Sequence, residues 1–158
     1  MGAHVITHAV QRAGVDPGEI DDVIMGAAMQ EGTQGFNLAR QCAMAAKFPA
    51  NVPGMTIDRQ CSSSLMAIAT AAKQIIGDGM QIVVGGGLES ISMVQNEHAN
   101  NYRAADPNVL ANAPHLYMPM IDTAEVVARR YKISREAQDE YALLSQQRMA
   151  VARGSDPS

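Results

Sequence analysis

Apolar residues recur with a helical stride at the start of the chain, at Val5, Ile6, Ala9, Val10 and Ala13, and the stripe stops at Gly14. A helix over residues 5–13 is therefore expected, followed by a turn at Val15-Asp16-Pro17-Gly18. The period then changes: residues 20–25 (IDDVIM) read as a short strand ending at Gly26. Asn37 is placed to cap a helix LARQCAMAAK whose inner face would hold Leu38, Cys42, Ala45 and Ala46, with Pro49 and Pro53 ending it. Residues 55–58 read as a second strand. Residues 64–76 (SLMAIATAAKQII) read as a helix with a single charge, Lys73, so nearly all of it should be buried. After Gly77-Asp78-Gly79, residues 81–84 form a third strand running into Gly85-Gly86-Gly87. Strand and helix alternating in this way predict an α/β layered fold with a parallel sheet.

Beyond Ser92 the periodicity fades. Residues 93–121 carry Asn, Pro, Met and Tyr without a clear stride, which predicts a long irregular excursion. Order returns at Asp122, which with Glu125 can cap a helix TAEVVARRY, and again at Ser134, which opens REAQDEYALLSQQRMAVA. In that last helix Ala137, Tyr141, Leu144 and Met149 approximate one stripe. Glu136, Asp139 and Glu140 lie early and Arg148 and Arg153 late, as the helix dipole prefers. The tail from Gly154 to Ser158 reads as unstructured. The expected division is a partial α/β domain over residues 1–92 and a segment over 93–158 with two helices and a flexible tail.

Composition narrows the function classes. The chain has 158 residues, 47% of them hydrophobic, and a net charge of −4, enough for one sizeable core and without the basic stripe that nucleic-acid binding needs. With 11 Met, no Trp and only 4% aromatics, small and flexible aliphatic side chains must fill that core. No stretch approaches the roughly 18 apolar residues of a membrane helix, and the N-terminus lacks a signal-peptide pattern. A cytoplasmic protein is expected. Its two cysteines, Cys42 and Cys61, form neither a disulfide framework nor a metal cluster.

Cys61 is the candidate nucleophile. It falls between a strand ending near Asp58 and a helix starting near Ser63, so its sulfur would sit at a helix N-terminus at the carboxyl end of a strand. Free N–H groups and the helix dipole favour an anionic sulfur there and can also receive a thioester oxyanion. The small residues Ser62, Ser63 and Ser64 leave room for substrate. Burial as a small hydrophobe is the competing reading of any lone cysteine, and position alone leaves the two even for Cys61. Cys42, mid-helix on an apolar face, reads as packing.

The wording of the sequence adds to its periodicity. Asp58-Arg59-Gln60-Cys61-Ser62-Ser63-Ser64-Leu65-Met66-Ala67-Ile68 resembles the nucleophile segment of the thiolase family. Residues 37–41 (NLARQ) are similar to that family's NPARQ helix, and residues 86–92 (GGLESIS) to its GGMESMS turn. Residues 122–128 (DTAEVVA), 133–139 (ISREAQD) and 145–147 (SQQ) are similar to TAENVA, ISREEQD and SQ. The resemblance spans residues 20–149. It implies a thiolase-like fold and a CoA-dependent acyltransferase that cleaves 3-ketoacyl-CoA, or condenses acyl-CoA in reverse, through an acyl-thioester on Cys61. CoA would be a substrate, with no permanently bound cofactor, and the chain a homo-oligomer, for which an exposed edge strand over residues 55–58 offers a pairing edge.

Departures from the family pattern qualify this. Pro119-Met120-Ile121 stands where the family often has His-Met-Gly, so only Met120 carries over, as a substrate-pocket wall. The family's opening RTPxG strand has no counterpart before the first helix. Its GHPxG histidine and CxG cysteine, which activate the nucleophile and move the proton, are not among these residues, and His4, His8, His98 and His115 match neither motif. The 158-residue chain alone is therefore expected to be inactive, and a non-catalytic fragment or association unit is the alternative. A ketoacyl synthase-like condensing enzyme is a second alternative, since Cys-Ser-Ser-Ser-Leu is closer to that family's habit, although ESIS and TAEVVARRYKISREAQDE are thiolase-like. His4 and His8 share a helical spacing but lack an acidic third ligand, so no metal site is expected. Gly85-Gly86-Gly87 lacks a complete phosphate-binding fingerprint. Asp21-Asp22 reads as a solvated strand edge. Among Arg103, Arg129 and Arg130, spacing selects none as a CoA phosphate contact.

Overall fold

The computed structural model describes residues Met1–Gly154. The chain forms two compact units, Met1–Asn101 and Tyr102–Ser158. Ser155 to Ser158, the rest of the tail expected to be unstructured, lie outside the described residues.

In the first unit α1 (Gly2–Ala13) ends at Gly14, whose φ of 67° lets its N–H reach back to the helix carbonyls. Strand β1 (Asp22–Gly26) is buried along its whole length. Helix α2 (Leu38–Ala45) starts where expected, with the Asn37 side chain accepting from the Arg40 N–H at 3.0 Å. Strand β2 (Met55–Ile57), helix α3 (Ser63–Lys73) and strand β3 (Val83–Gly87) follow. The three strands pair in parallel in the order β2-β1-β3, so the first strand is the central one. That is the expected parallel sheet.

The two faces of β1 build two cores. Val23 and Met25 point into a cluster with Ile6 and Val10 of α1, Leu38, Ala39, Cys42 and Ala43 of α2, and Phe48 and Val52 beyond it. Ile24 points the other way, onto Ala67 and Ala71 of α3, as a period of two requires. Beside the expected Leu38 and Cys42 the α2 inner face uses Ala39 and Ala43; Ala46 packs half-buried against the same cluster, and Ala45 is exposed.

Helix α3 departs most from expectation. Only Ser63, Ala67 and Ala71 of it are buried, while Leu65 is 70% and Ile68 52% exposed. Its sheet-facing stripe is the small-residue stripe, because the strands beneath it end in glycine. A Cβ on Gly85 would come within 3.1 Å of the Ile68 Cα and 3.2 Å of the Ala71 side chain. Close backbone approach selects the small side of the helix, and the large apolar residues face outward. Helix α3 then runs into a π-helical turn, Gln74–Asp78. The solvated edge expected at Asp21-Asp22 holds for Asp21, which is exposed, but Asp22 is buried, with its carboxylate accepting from the Val23 N–H and Gln74 Nε2. Asp21 accepts from the Gln81 and Ile82 N–H groups, and these bonds hold its carboxyl below the usual carboxylate range.

The excursion after Ser92 is partly ordered, by α4 (Ile91–Val94) in the first unit and α5 (Pro107–Asn112) in the second. In the second unit α6 (Met120–Tyr131) begins two residues before Asp122, with Pro119 at the cap, so Asp122 lies in the first turn and is not the cap. Helix α7 (Arg135–Gly154) takes in Gly154, and the Ser134 hydroxyl accepts from the Ala137 N–H at 3.2 Å. No residue of α5, α6 or α7 is buried. Among the described residues no helix is long and apolar enough to cross a membrane.

Candidate active site at the carboxyl edge of the sheet

In a parallel sheet all strands deliver their following loops to one edge, where α/β proteins place their ligands. Three loops meet that edge in the first unit: residues 27–37 after β1, 58–62 after β2, and 88–90 after β3.

The middle loop carries Cys61. Asp58 accepts from the Gln60 N–H at 2.7 Å, an Asx turn that reverses the chain just beyond β2. Ser63 fastens the turn from the helix side, its hydroxyl accepting from the Arg59 N–H at 2.8 Å and donating to the Gln60 carbonyl at 2.6 Å. Gln60 takes a φ of 51°, a left-handed conformation that costs a non-glycine residue and persists only where its surroundings impose it. The next residue, Cys61, is exposed and free. A tight turn thus presents the thiol to solvent, outside both core clusters of the unit.

The helix behind the thiol is seated by glycine. A Cβ on Gly26, at the end of β1, would overlap the Ser63 carbonyl and the Ser64 nitrogen, and one on Gly87, at the end of β3, would overlap the Ser64 hydroxyl. The first turn of α3 therefore lies directly on the ends of both strands. The N–H groups of Ser62 and Ser63 are already used, bonding to the Arg59 and Gln60 carbonyls at 3.1 and 3.0 Å. They are not available to an oxyanion, which narrows the sequence expectation to the next N–H groups of the helix. Ser62 makes no side-chain cap bond that would occupy those. Among the described residues the Cys61 sulfur makes no hydrogen bond.

A buried polar brace joins the other two loops. Gln34 is 1% exposed; its Nε2 donates to the Met29 carbonyl at 2.9 Å and to Glu89 Oε1 at 2.5 Å, and its Oε1 accepts from the Ser90 N–H. Glu89 Oε2 accepts from the Ala28 and Met29 N–H groups at 2.7 and 3.3 Å. The Glu of the GGLESIS segment is thus a strut across the sheet edge. The sequence gives Glu89 no task and does not point to Gln34, and it marks Asp58 only as a strand end and Ser63 only as a small residue beside the thiol.

Cys42 is buried, with Gly2 packed against its sulfur, and burial pushes its thiol up. The two cysteines should separate under iodoacetamide: one equivalent, mapping by mass spectrometry to Cys61, reacts rapidly in the native chain, and Cys42 follows only on unfolding. Equal native rates at both would contradict the burial of Cys42.

Met120 belongs to the second unit, where it lines a cavity of about 400 Å³ with Val127, Ala128 and Ile133. Arg129 and Arg130 occupy the last turn of α6, and Arg103 has a φ of 53°. The His4 and His8 rings stand edge to face, 4.4 Å apart. Among the described residues no group of three or more His, Cys, Asp or Glu is arranged to hold a metal ion.

Comparison with known proteins gives one consistent result. Residues 1–156 match the family described as "Thiolase, N-terminal domain". The chain is 40% identical over 153 residues to a 3-ketoacyl-CoA thiolase of Bacillus subtilis (strain 168), covering 96% of this chain and 38% of that protein. It is 38% identical over 167 residues to an acetyl-CoA acetyltransferase of Cupriavidus necator, covering 97% and 41%. The crystal structure of the Bacillus anthracis acetyl-CoA acetyltransferase superposes with a TM-score of 0.70 at 38% identity, over 88% of this chain and 37% of that one. The chain thus spans about 40% of the length of the relatives it matches.

Proposed function

We propose, from the premise that this chain belongs to the thiolase family through its N-terminal domain, that it is the nucleophile-bearing part of an acyl-CoA acyltransferase in which Cys61 carries the acyl group. The observation that carries this reading is the exposed, free Cys61 on a turn locked from both sides at the carboxyl edge of a parallel sheet.

In the cleavage direction the Cys61 sulfur attacks the keto carbon of a 3-ketoacyl-CoA. The bond between that carbon and its α-carbon breaks, and acetyl-CoA departs as an enolate that takes up a proton. The acyl group stays on Cys61 as a thioester until the thiol of a second CoA removes it. Run backward, the same steps form a carbon–carbon bond. Coenzyme A is a substrate here, and the proposal includes no permanently bound cofactor. Met120 is proposed as a wall of the acyl pocket. Residues 1–92 are taken as the nucleophile-bearing domain and 93–158 as the start of the loop domain. A cytoplasmic setting, consistent with two unpaired cysteines, belongs to the same proposal, as do lipid metabolism and a homo-oligomeric state.

The histidine and second cysteine that the family resemblance calls for are supplied by motifs these 158 residues do not contain. This supports a second reading, in which the 158 residues alone are a non-catalytic, thiolase-like unit. One experiment treats both. The chain is incubated with acetyl-CoA and with a 3-ketoacyl-CoA; intact mass and peptide mapping report acylation, and absorbance of the ketoacyl thioester reports turnover. The expected result is slow acylation confined to Cys61 without appreciable turnover. Acylation from an acyl-carrier-protein thioester but never from acyl-CoA would instead indicate a synthase-like enzyme, and no acylation from either donor would leave the non-catalytic reading.

A further inference from the structure

The first two histidines of the chain stand together on α1. Spaced four residues apart, His4 and His8 lie one turn apart on the same face of the helix. Their ring centroids are 4.4 Å apart, at an interplanar angle of 68°. Both residues are exposed, and among the described residues neither ring takes part in a hydrogen bond or an ion pair.

The helix beneath the rings is fixed. Ile6 and Val10, on its opposite face, are buried in the core cluster, and Gly14 closes it. The backbone thus holds the two side chains at a set spacing, while each exposed ring turns about its own bonds without disturbing any packing.

That spacing decides what the pair can hold. A metal ion bound at an imidazole nitrogen lies about 2.0–2.1 Å from it and so about 3.2 Å from the ring centroid. Two imidazoles at adjacent corners of a square or octahedron, at about 90°, then have centroids about 4.5 Å apart, against about 5.2 Å at tetrahedral corners. The observed 4.4 Å fits the first arrangement, which is the tetragonal geometry that Cu²⁺ and Ni²⁺ adopt with nitrogen and oxygen ligands.

The missing acidic ligand still argues against a zinc site of the structural or catalytic kind. Among the described residues no third His, Cys, Asp or Glu joins the pair, so water completes the coordination and the ion is exchangeable. Two cations border the rings: Lys47 shares one surface hollow with them, and Arg12 shares another. Both are exposed, where salt screens their repulsion of a dication. They lower the affinity and leave the chelate intact.

We infer that His4 and His8 form a surface chelate for one divalent ion of the nickel and copper class, two imidazole nitrogens binding at adjacent corners and water at the rest. The site uses none of the residues of the acyltransferase reading and does not depend on it.

Titration of the full 158-residue chain with Ni²⁺ tests it, heat reporting the affinity and paramagnetic broadening of backbone amide signals reporting the place. Nickel is the probe because copper would also oxidise the exposed Cys61 thiol. One ion should bind, with broadening centred on the first two turns of α1. His4→Ala and His8→Ala should each weaken binding by about tenfold or more, since even groups that only orient metal ligands are worth about 10–100-fold. Both positions are exposed and alanine is the best helix former, so these variants fold. His8→Ala/Ala9→His keeps the number of histidines but moves the second ring about 100° round the helix, and it should bind as weakly as His8→Ala. His98→Ala, which removes an exposed ring beside Glu97, should leave the affinity unchanged. The absence of saturable binding, an affinity that neither single variant lowers, full binding by the shifted pair, or broadening centred on Cys61 or His98 would overturn the inference.

Discussion

Gly26→Ala should lower folding stability by about 3 kcal/mol, at the upper end for overpacking, because the added methyl meets backbone that cannot rotate away. The atoms in its way are the Ser63 carbonyl and the Ser64 nitrogen, both in the first turn of α3. Relief requires either β1 or α3 to move, and β1 is the buried central strand with neighbours on both sides. Helix α3 should therefore yield, taking the Cys61 turn with it. Against a typical domain stability of about 5–15 kcal/mol, that loss is large. Urea unfolding followed by circular dichroism would measure it, and the rate of Cys61 alkylation would report the displaced turn. Gly77→Ala is the matched control, since a Cβ there meets nothing within 4 Å. If the two variants unfold at the same urea concentration, the glycine seat is not what positions the nucleophile.

Glu89→Ala should cost about 2–3 kcal/mol by a different route, the stranding of buried polar groups. Removing the carboxylate leaves the Ala28 and Met29 N–H groups and one Gln34 amide hydrogen without acceptors. Gln34 is fully buried, so water replaces those bonds only if the 27–37 loop opens. Hydrogen exchange would read the effect locally: protection of the Ala28 and Met29 amides should fall much more than that of β2. Glu89→Gln keeps one carbonyl oxygen and should lose less. Unchanged protection at both amides in Glu89→Ala would mean that the brace is incidental.

Much of the first unit was legible in the sequence because its signals are local. Gly14 ends α1, Asn37 caps α2, and the three short apolar runs become the three strands of a parallel sheet. The position of Cys61 at a strand-to-helix junction followed from the same boundaries. What escaped depends on residues far apart in the chain. Glu89 and Gln34 are 55 positions apart, and a polar pair at such separation has no periodicity to betray it. The burial of α3 falls short of the expectation because its composition is apolar all round, while its seating is decided by glycines on the neighbouring strands. Ser63 looked like a small spacer for substrate and is instead the clamp of the turn. Asp22 looked like a surface charge and is instead buried, bonded to the π-helical turn, while Asp21 stays exposed and ties β1 to the residues before β3.

The central strand, β1, precedes both of its neighbours along the chain. As the chain leaves the ribosome, β1 must wait about 30 residues for β2 on one side and about 60 for β3 on the other, and such late, non-local pairings make folding slow. The Cys61 turn emerges between them, when α3 can rest on Gly26 but Gly87 does not yet exist. During synthesis the first turn of α3 is thus seated on one glycine only, and its second seat forms after Gly87 has emerged to pair with β1.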